Sequence, residues 1–133
     1  MIARALDAGV PAAWATGDEV YGGDPGLRAD LERRRIGYVL AVAVTHRVAT
    51  AAGTCPARQI AARLPGRAWQ RYSAGEGAKG YRYYDWAWVA IDPARPGHRW
   101  LLIRRNRRTR ELAFYRCYAP RHVPLPALIH AFR

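Results

Sequence analysis

Trp14-Ala-Thr-Gly-Asp-Glu-Val-Tyr-Gly-Gly23 decides how the rest of the chain is read. A short apolar segment runs into a carboxylate, Asp18, and a glycine-rich turn follows. The turn opens onto a well-signalled helix. Asp24 is a good N-cap, and Pro25 suits the first helical position. Leu27 and Leu31 share a face, and Arg28–Glu32 and Asp30–Arg34 have i,i+4 spacing. Arg33, Arg34 and Arg35 suit the negative end of the helix dipole, and Gly37 ends the helix. Beyond it, Tyr38-Val-Leu-Ala-Val-Ala-Val44 is continuously apolar, the pattern of a strand buried on both faces. Strand 13–17, helix 24–35 and strand 38–44 therefore predict a βαβ unit with parallel strands and a right-handed crossover.

Asp18 stands at the end of the first strand, where an open α/β sheet places its ligands. A carboxylate there suits Mg²⁺, which takes a few hard oxygen ligands together with water and phosphate. Spacing alone also reads Asp18 as a turn cap, since Asp hydrogen-bonds its own backbone. A single carboxylate does not separate the two readings.

The 133 residues make one domain, and half of them are hydrophobic, which argues against disorder. Lys and Arg number 22 against 10 Asp and Glu, a net charge of +12. With a pI of about 10.8, the expected partner is a polyanion, nucleic acid before an anionic membrane surface. No apolar run approaches the ~20 residues needed to span a bilayer. The start has no extended apolar core of the signal-peptide kind, so cytoplasmic residence is expected. Cys55 and Cys117 form no CxxC and have no His at finger spacing, and they read as small buried side chains.

Outside the βαβ unit the signals are less even. Residues 1–8 read as the tail of a helix, with Ile2 and Leu6 four apart and Gly9 as its stop. Residues 45–80 have no regular pattern, apart from a short helix at 56–64 and a short strand at 69–72. Residues 73–80 carry three glycines and read as a loop. Residues 81–91 form an aromatic strand. Residues 99–105 and 112–118 flank a turn as a hairpin would, and a helix begins after Pro124.

Four stretches carry a resemblance to a known family. They are Thr16-Gly-Asp-Glu-Val-Tyr-Gly-Gly-Asp-Pro25, Ile36-Gly-Tyr-Val-Leu-Ala-Val-Ala-Val44, Tyr83-Tyr-Asp-Trp-Ala-Trp88 and Trp100-Leu-Leu-Ile-Arg-Arg-Asn106. Together they resemble the middle of a DDE-type insertion-sequence transposase, over nearly the whole chain. The resemblance implies an α/β (α+β) fold. Residues 1–45 would be a partial ribonuclease-H-like catalytic core, 46–118 a β-rich insertion and 119–133 the start of a C-terminal core helix. Asp18 would be the second acidic residue of a triad, the first Asp lying before Met1 and the Glu beyond Arg133. In such enzymes three carboxylates hold two Mg²⁺ (or Mn²⁺) ions for DNA cleavage and strand transfer. A chain holding one of the three is expected to bind metal weakly or not at all and to be inactive alone. The sheet's three opening strands would be missing, leaving one edge uncovered and open to self-association.

The second functional expectation is basic. Arg104, Arg105, Arg107, Arg108 and Arg110 crowd the predicted hairpin tip, and arginine forks hold phosphate without reading sequence. Arg67, Arg71, Lys79 and Arg82 are interleaved with Trp69, Tyr72 and Tyr81, as in a base-stacking surface or a sheet core. Glu19 would point to the opposite face from Asp18 if the strand continued. Asp85 and Asp92 read as structural. His46, His98, His122 and His130 lie at no triad spacing, and no phosphate-binding glycine motif occurs. The alternative to the transposase reading is a non-catalytic basic nucleic-acid-binding module.

Overall fold

A computed structural model describes residues 2–4, 13–71 and 84–132. The elements run β1 (Ile2–Arg4), β2 (Ala13–Gly17), α1 (Glu19–Gly22), α2 (Pro25–Arg33), β3 (Gly37–Val42), β4 (Arg47–Thr50), β5 (Gly53–Pro56) and α3 (Ala57–Arg63). A 3₁₀ turn at Gly66–Ala68 leads to β6 (Gln70–Arg71), β7 (Tyr84–Ala90), β8 (His98–Asn106), β9 (Leu112–Ala119) and α4 (Leu125–Phe132).

The fold is mixed α and β around one seven-stranded sheet of order β1-β2-β3-β9-β8-β7-β6. The β2–β3 pair is parallel, as the βαβ pattern predicts, and every other pair in the sheet is antiparallel. Helix α2 starts where the sequence placed it. Asp24 Oδ1 accepts from the Gly26 and Leu27 amides, at 2.9 and 3.1 Å, and Pro25 holds the first position.

Side-chain alternation assigns each sheet face. On one, Val39, Trp86, Trp100, Leu102, Tyr115 and Cys117 pack with Val123, Leu125, Leu128 and Ile129 at and before α4. On the other there are two clusters. Ala15, Tyr38, Leu40 and Tyr118 meet Leu31 of α2. Val42, Leu101, Ile103 and Phe114 meet Val48 of β4 and Ala57, Ile60 and Ala61 of α3. The sheet is thus the middle layer, and β3 is apolar throughout because it is covered from both sides.

Three expectations are corrected. Ile2–Arg4 is a strand paired with β2 and not the tail of a helix; so short a helix is marginal alone, whereas a sheet edge offers it backbone partners. The β2–β3 pair has no uncovered edge, because β1 flanks β2 and β9 flanks β3. Strands β6 to β9 share this sheet with the βαβ unit. Within the span expected to be irregular, β4 and β5 form their own two-stranded hairpin. It was hidden because Thr50-Ala-Ala-Gly53 lacks an Asn-Gly or Asp-Gly signal and Val48 is its only buried hydrophobic. β2 ends at Gly17, as expected, and Glu19 begins α1. The expected loop at 73–80 lies outside the described residues. Cys117 is buried and Cys55 half-buried, both free thiols. Among the described residues no helix is long and apolar enough to cross a membrane.

Gly22 sets how closely α1 lies on the sheet. A Cβ built there would stand 1.9 Å from the Ala41 carbonyl oxygen, a backbone atom that cannot swing aside. Gly22→Ala should destabilise the fold by about 1–3 kcal/mol or more, as overpacking does. Denaturant midpoints check this; an unchanged midpoint would mean that α1 is not seated on β3.

Candidate nucleic-acid interface

The β8–β9 turn is held by its own side chains. Asn106 Oδ1 accepts from the Arg108 and Thr109 amides, at 2.8 and 3.0 Å. The Asn106 carbonyl accepts from the Arg110 amide, and its amide donates to the Glu111 carbonyl. Arg110 takes a left-handed backbone, φ +68°, to close the turn.

This frame splits the five hairpin arginines. Arg104 and Arg105 are neighbours on β8, so they point to opposite faces. Arg104 lies over the Tyr84 ring at 4.5 Å. Arg105 lies over Trp69 at 4.0 Å and pairs with Asp85 at 3.4 Å. Arg107 reaches the same carboxylate at 3.8 Å. Arg108 and Arg110 are exposed at the tip, and Arg107 is half-buried beside them. Five guanidiniums thus share a strand end with two carboxylates, Asp85 and Glu111. In the second basic set, Arg67 and Arg71 are exposed, and Trp69 is the ring under Arg105. Lys79, Arg82, Tyr72 and Tyr81 lie outside the described residues.

Asp18 follows the last residue of β2 and is exposed. Its Oδ1 accepts from the Val20 amide at 3.1 Å, so it caps α1. The capping bond is the one that the turn-cap reading describes, and the exposed position accords with either reading. Among the described residues no three His, Cys, Asp or Glu side chains gather as a metal would require.

Sequence reasoning missed a polar seam on the sheet face that carries the two apolar clusters. On β9, Tyr118 belongs to one cluster and Phe114 to the other, and Arg116 stands between them. Arg116 is 7% exposed; its guanidinium pairs with Asp92 and reaches His46 Nε2 at 3.2 Å. Arg99 on β8 is 6% exposed and holds Glu32 at 2.6 Å. Glu32 also accepts from the Tyr38 hydroxyl at 2.6 Å and from Arg95 at 3.1 Å. The expected Arg28–Glu32 pair on α2 is replaced, because Arg28 donates to the Gly22 carbonyl at 2.5 Å instead. The Asp30–Arg34 pair forms, at 3.2 Å. Asp85 and Asp92 both hold arginines, as their structural reading expected.

The seam sets the protonation of its members. Burial alone would raise the Glu32 carboxyl, but hydrogen bonds from Arg99 and Tyr38 hold it below its usual range. Burial and the neighbouring Glu32 push the Tyr38 hydroxyl up. Burial, then the charges of Arg116 and Arg28, lower His46 to about 4. Arginine has no acceptor, so Nε2 of His46 must carry the lone pair that Arg116 meets, and protonation would set two donors against each other.

At the far end of β8 from the hairpin, Trp88, Trp100, His98 and His122 stack edge to face or in parallel, with ring centroids 5.2–6.2 Å apart. Comparison with known protein families, curated proteins and solved structures finds no match to this chain.

His46 predicts a pH dependence. Its folded value, about 4, lies below the usual 6.5, so between the two the unfolded chain binds more protons. The stability it contributes is complete above 6.5 and is lost as pH falls toward 4. His46→Gln keeps an acceptor and cannot titrate, so its stability should fall less steeply in that window. Urea midpoints measured across the range check it; parallel profiles would show that His46 is not held neutral.

Proposed function

We propose that this chain is a DNA-binding part of a DDE-type transposase, with β2, α2 and β3 belonging to a ribonuclease-H-like core. The observation that carries the reading is the β8–β9 hairpin, whose turn, held by Asn106, brings Arg107, Arg108 and Arg110 together with Arg108 and Arg110 at the surface. A net charge of +12 draws DNA to it. Arginine forks then hold backbone phosphates, fixing the duplex without reading its bases. Asp18 supports the family reading by its place at the carboxyl end of a parallel pair. In such enzymes divalent ions activate the attacking hydroxyl and stabilise the leaving oxygen. One carboxylate offers too few hard oxygens for that, so the chain's own part is to bind and place DNA.

Duplex binding should weaken with salt at a slope of about −0.9 per neutralised phosphate. Replacing Arg107, Arg108 and Arg110 together by Gln should flatten the slope by up to roughly 3 units, equally for unrelated sequences. Anisotropy titrations at several salt concentrations measure this. An unchanged slope would move the DNA contact elsewhere, and a loss confined to one sequence would mean that these arginines read bases.

A second reading, a basic nucleic-acid-binding module with no catalytic ancestry in use, is favoured by the capping bond of Asp18. Asp18→Asn separates the two, because Asn caps a helix about as well as Asp but carries no charge. The transposase reading expects weak Mn²⁺ broadening of amide signals around residues 17–21 that vanishes in this variant, and no plasmid nicking. The module reading expects no broadening in either protein. Robust nicking abolished by Asp18→Asn would sink both.

A further inference from the structure

The strongest charge concentration away from the hairpin surrounds a cavity of about 420 Å³ between the end of α2, the β7–β8 loop and the end of β9. Its volume falls in the range of ordinary ligand sites. Four arginines line it, Arg33, Arg35, Arg95 and Arg99, with one carboxylate, Glu32.

The charges are not equally engaged. Arg99 is almost wholly spent: it grips Glu32 through Nε and an amino nitrogen at 3.3 and 2.6 Å, and donates to the Pro96 carbonyl at 2.7 Å. It also lies over the Tyr118 ring at 5.1 Å. Glu32 is thereby neutralised in place, with Tyr38 donating to the oxygen that Arg99 Nε also reaches. Arg99 is the floor, and the rim is basic. Arg33 is exposed and shares Asp30 with Arg34, a contact worth little in water. Arg95 is exposed and holds Glu32, already bound by Arg99. Arg35 is exposed and pairs with no carboxylate among the described residues. Its left-handed backbone, φ +56°, follows the last turn of α2 and re-aims the chain at the cavity mouth. Across the opening, Gly97 has φ +97°, and a Cβ there would come within 3.0 Å of the Tyr118 ring, so the loop leaves the mouth clear only with glycine.

We propose that this cavity is a second anion site, which binds a phosphate group between Arg35, Arg33 and Arg95. The shared chemistry is a tetrahedral oxyanion with several acceptor oxygens, matched to guanidinium forks. It comes either from a DNA backbone phosphate or from a free phosphate or diphosphate. Arg99 lies eight residues before Arg107 along β8, roughly 25 Å at strand spacing. The cavity is therefore not an extension of the hairpin, and the proposal stands without the transposase reading.

Calorimetric titration of the full chain with inorganic pyrophosphate at low salt tests it. One site should saturate. In Arg33→Gln/Arg35→Gln the affinity should fall about tenfold or more, the effect of losing a charge-assisted hydrogen bond. The Arg107, Arg108 and Arg110 triple variant should bind pyrophosphate as the parent does. Unchanged melting midpoints show that both variants fold, since all five positions lie at the surface or the turn. A parent that does not saturate, or an equal loss in both variants, overturns the proposal. Duplex DNA distinguishes the sources: a salt slope flattened by up to roughly 2 in the Arg33/Arg35 variant supports a backbone phosphate. An unchanged slope with pyrophosphate binding lost supports the site with free phosphate as its ligand.

Discussion

Two buried guanidiniums govern the arrangement of everything on one face of the sheet. Arg99 and Arg116 stand on adjacent strands, each more than nine-tenths buried. An unpaired charge in that position would cost several kcal/mol, so each must be given a carboxylate. Glu32 comes from α2, and Asp92 from the β7–β8 loop. Asp92 accepts a left-handed backbone, φ +51°, and its amide donates to the Ala49 carbonyl of β4. Asp tolerates that conformation better than most residues, because its short polar side chain bonds locally. One ion pair therefore fixes the loop, the loop holds the β4–β5 hairpin, and that hairpin covers half of the face. The other pair seats α2 over the remaining half.

The same requirement explains why this face has two apolar clusters. β9 alternates Phe114, Arg116 and Tyr118 inward, and the arginine interrupts what would otherwise be one core. Tyr38, His46 and Arg28 gather there because each can bond a seam member or the backbone nearby. Among the described residues the opposite face carries no buried arginine, and its core forms a single cluster under α4. Cys117 lies there among apolar side chains, and burial pushes its thiol well up against the lowering charge of Arg116.

The βαβ unit was legible because its signals are local. A cap, a proline at the first turn, a four-residue apolar spacing and a continuous apolar run each bear on residues close in sequence. The three long antiparallel strands were legible for the same reason, through aromatic and aliphatic runs around turns. The seam was not. The i,i+4 spacing of Arg28 and Glu32 predicted a bond on one helix, yet Glu32 bonds Arg99, 67 residues away. Solvent-exposed helix pairs are worth only about 0.3–0.5 kcal/mol, too little to hold a carboxylate that a buried guanidinium needs. β1 was misread because three residues carry no period, and only the presence of β2 makes them a strand. Of the candidate site, the arginine cluster was visible as composition. Its division between Asp85, Trp69 and Tyr84 needed the register of β7 against β8, which the sequence does not encode locally.

That register bears on how a charge of +12 can be used. A surface cation attracts a polyanion in proportion to what its own neighbours leave unbalanced. On β8 the strand-borne arginines, Arg104 and Arg105, lie against aromatic rings, where their planar heads stiffen the base of the hairpin. Asp85 sits opposite Arg105 in register and takes part of its charge and part of Arg107's. Past Asp85, the turn carries Arg108 and Arg110 at the surface. At the other end of β8, Arg99 neutralises Glu32, and the rim arginines around it are left in surplus. The arginines of β8 itself, Arg99, Arg104 and Arg105, are thus engaged with Glu32, Tyr84, Trp69 and Asp85, between an arginine-bearing turn at one end and an arginine-lined rim at the other. On the two proposals made above, a long polyanion is held at two separated points, and a ligand shorter than their separation meets only one of them.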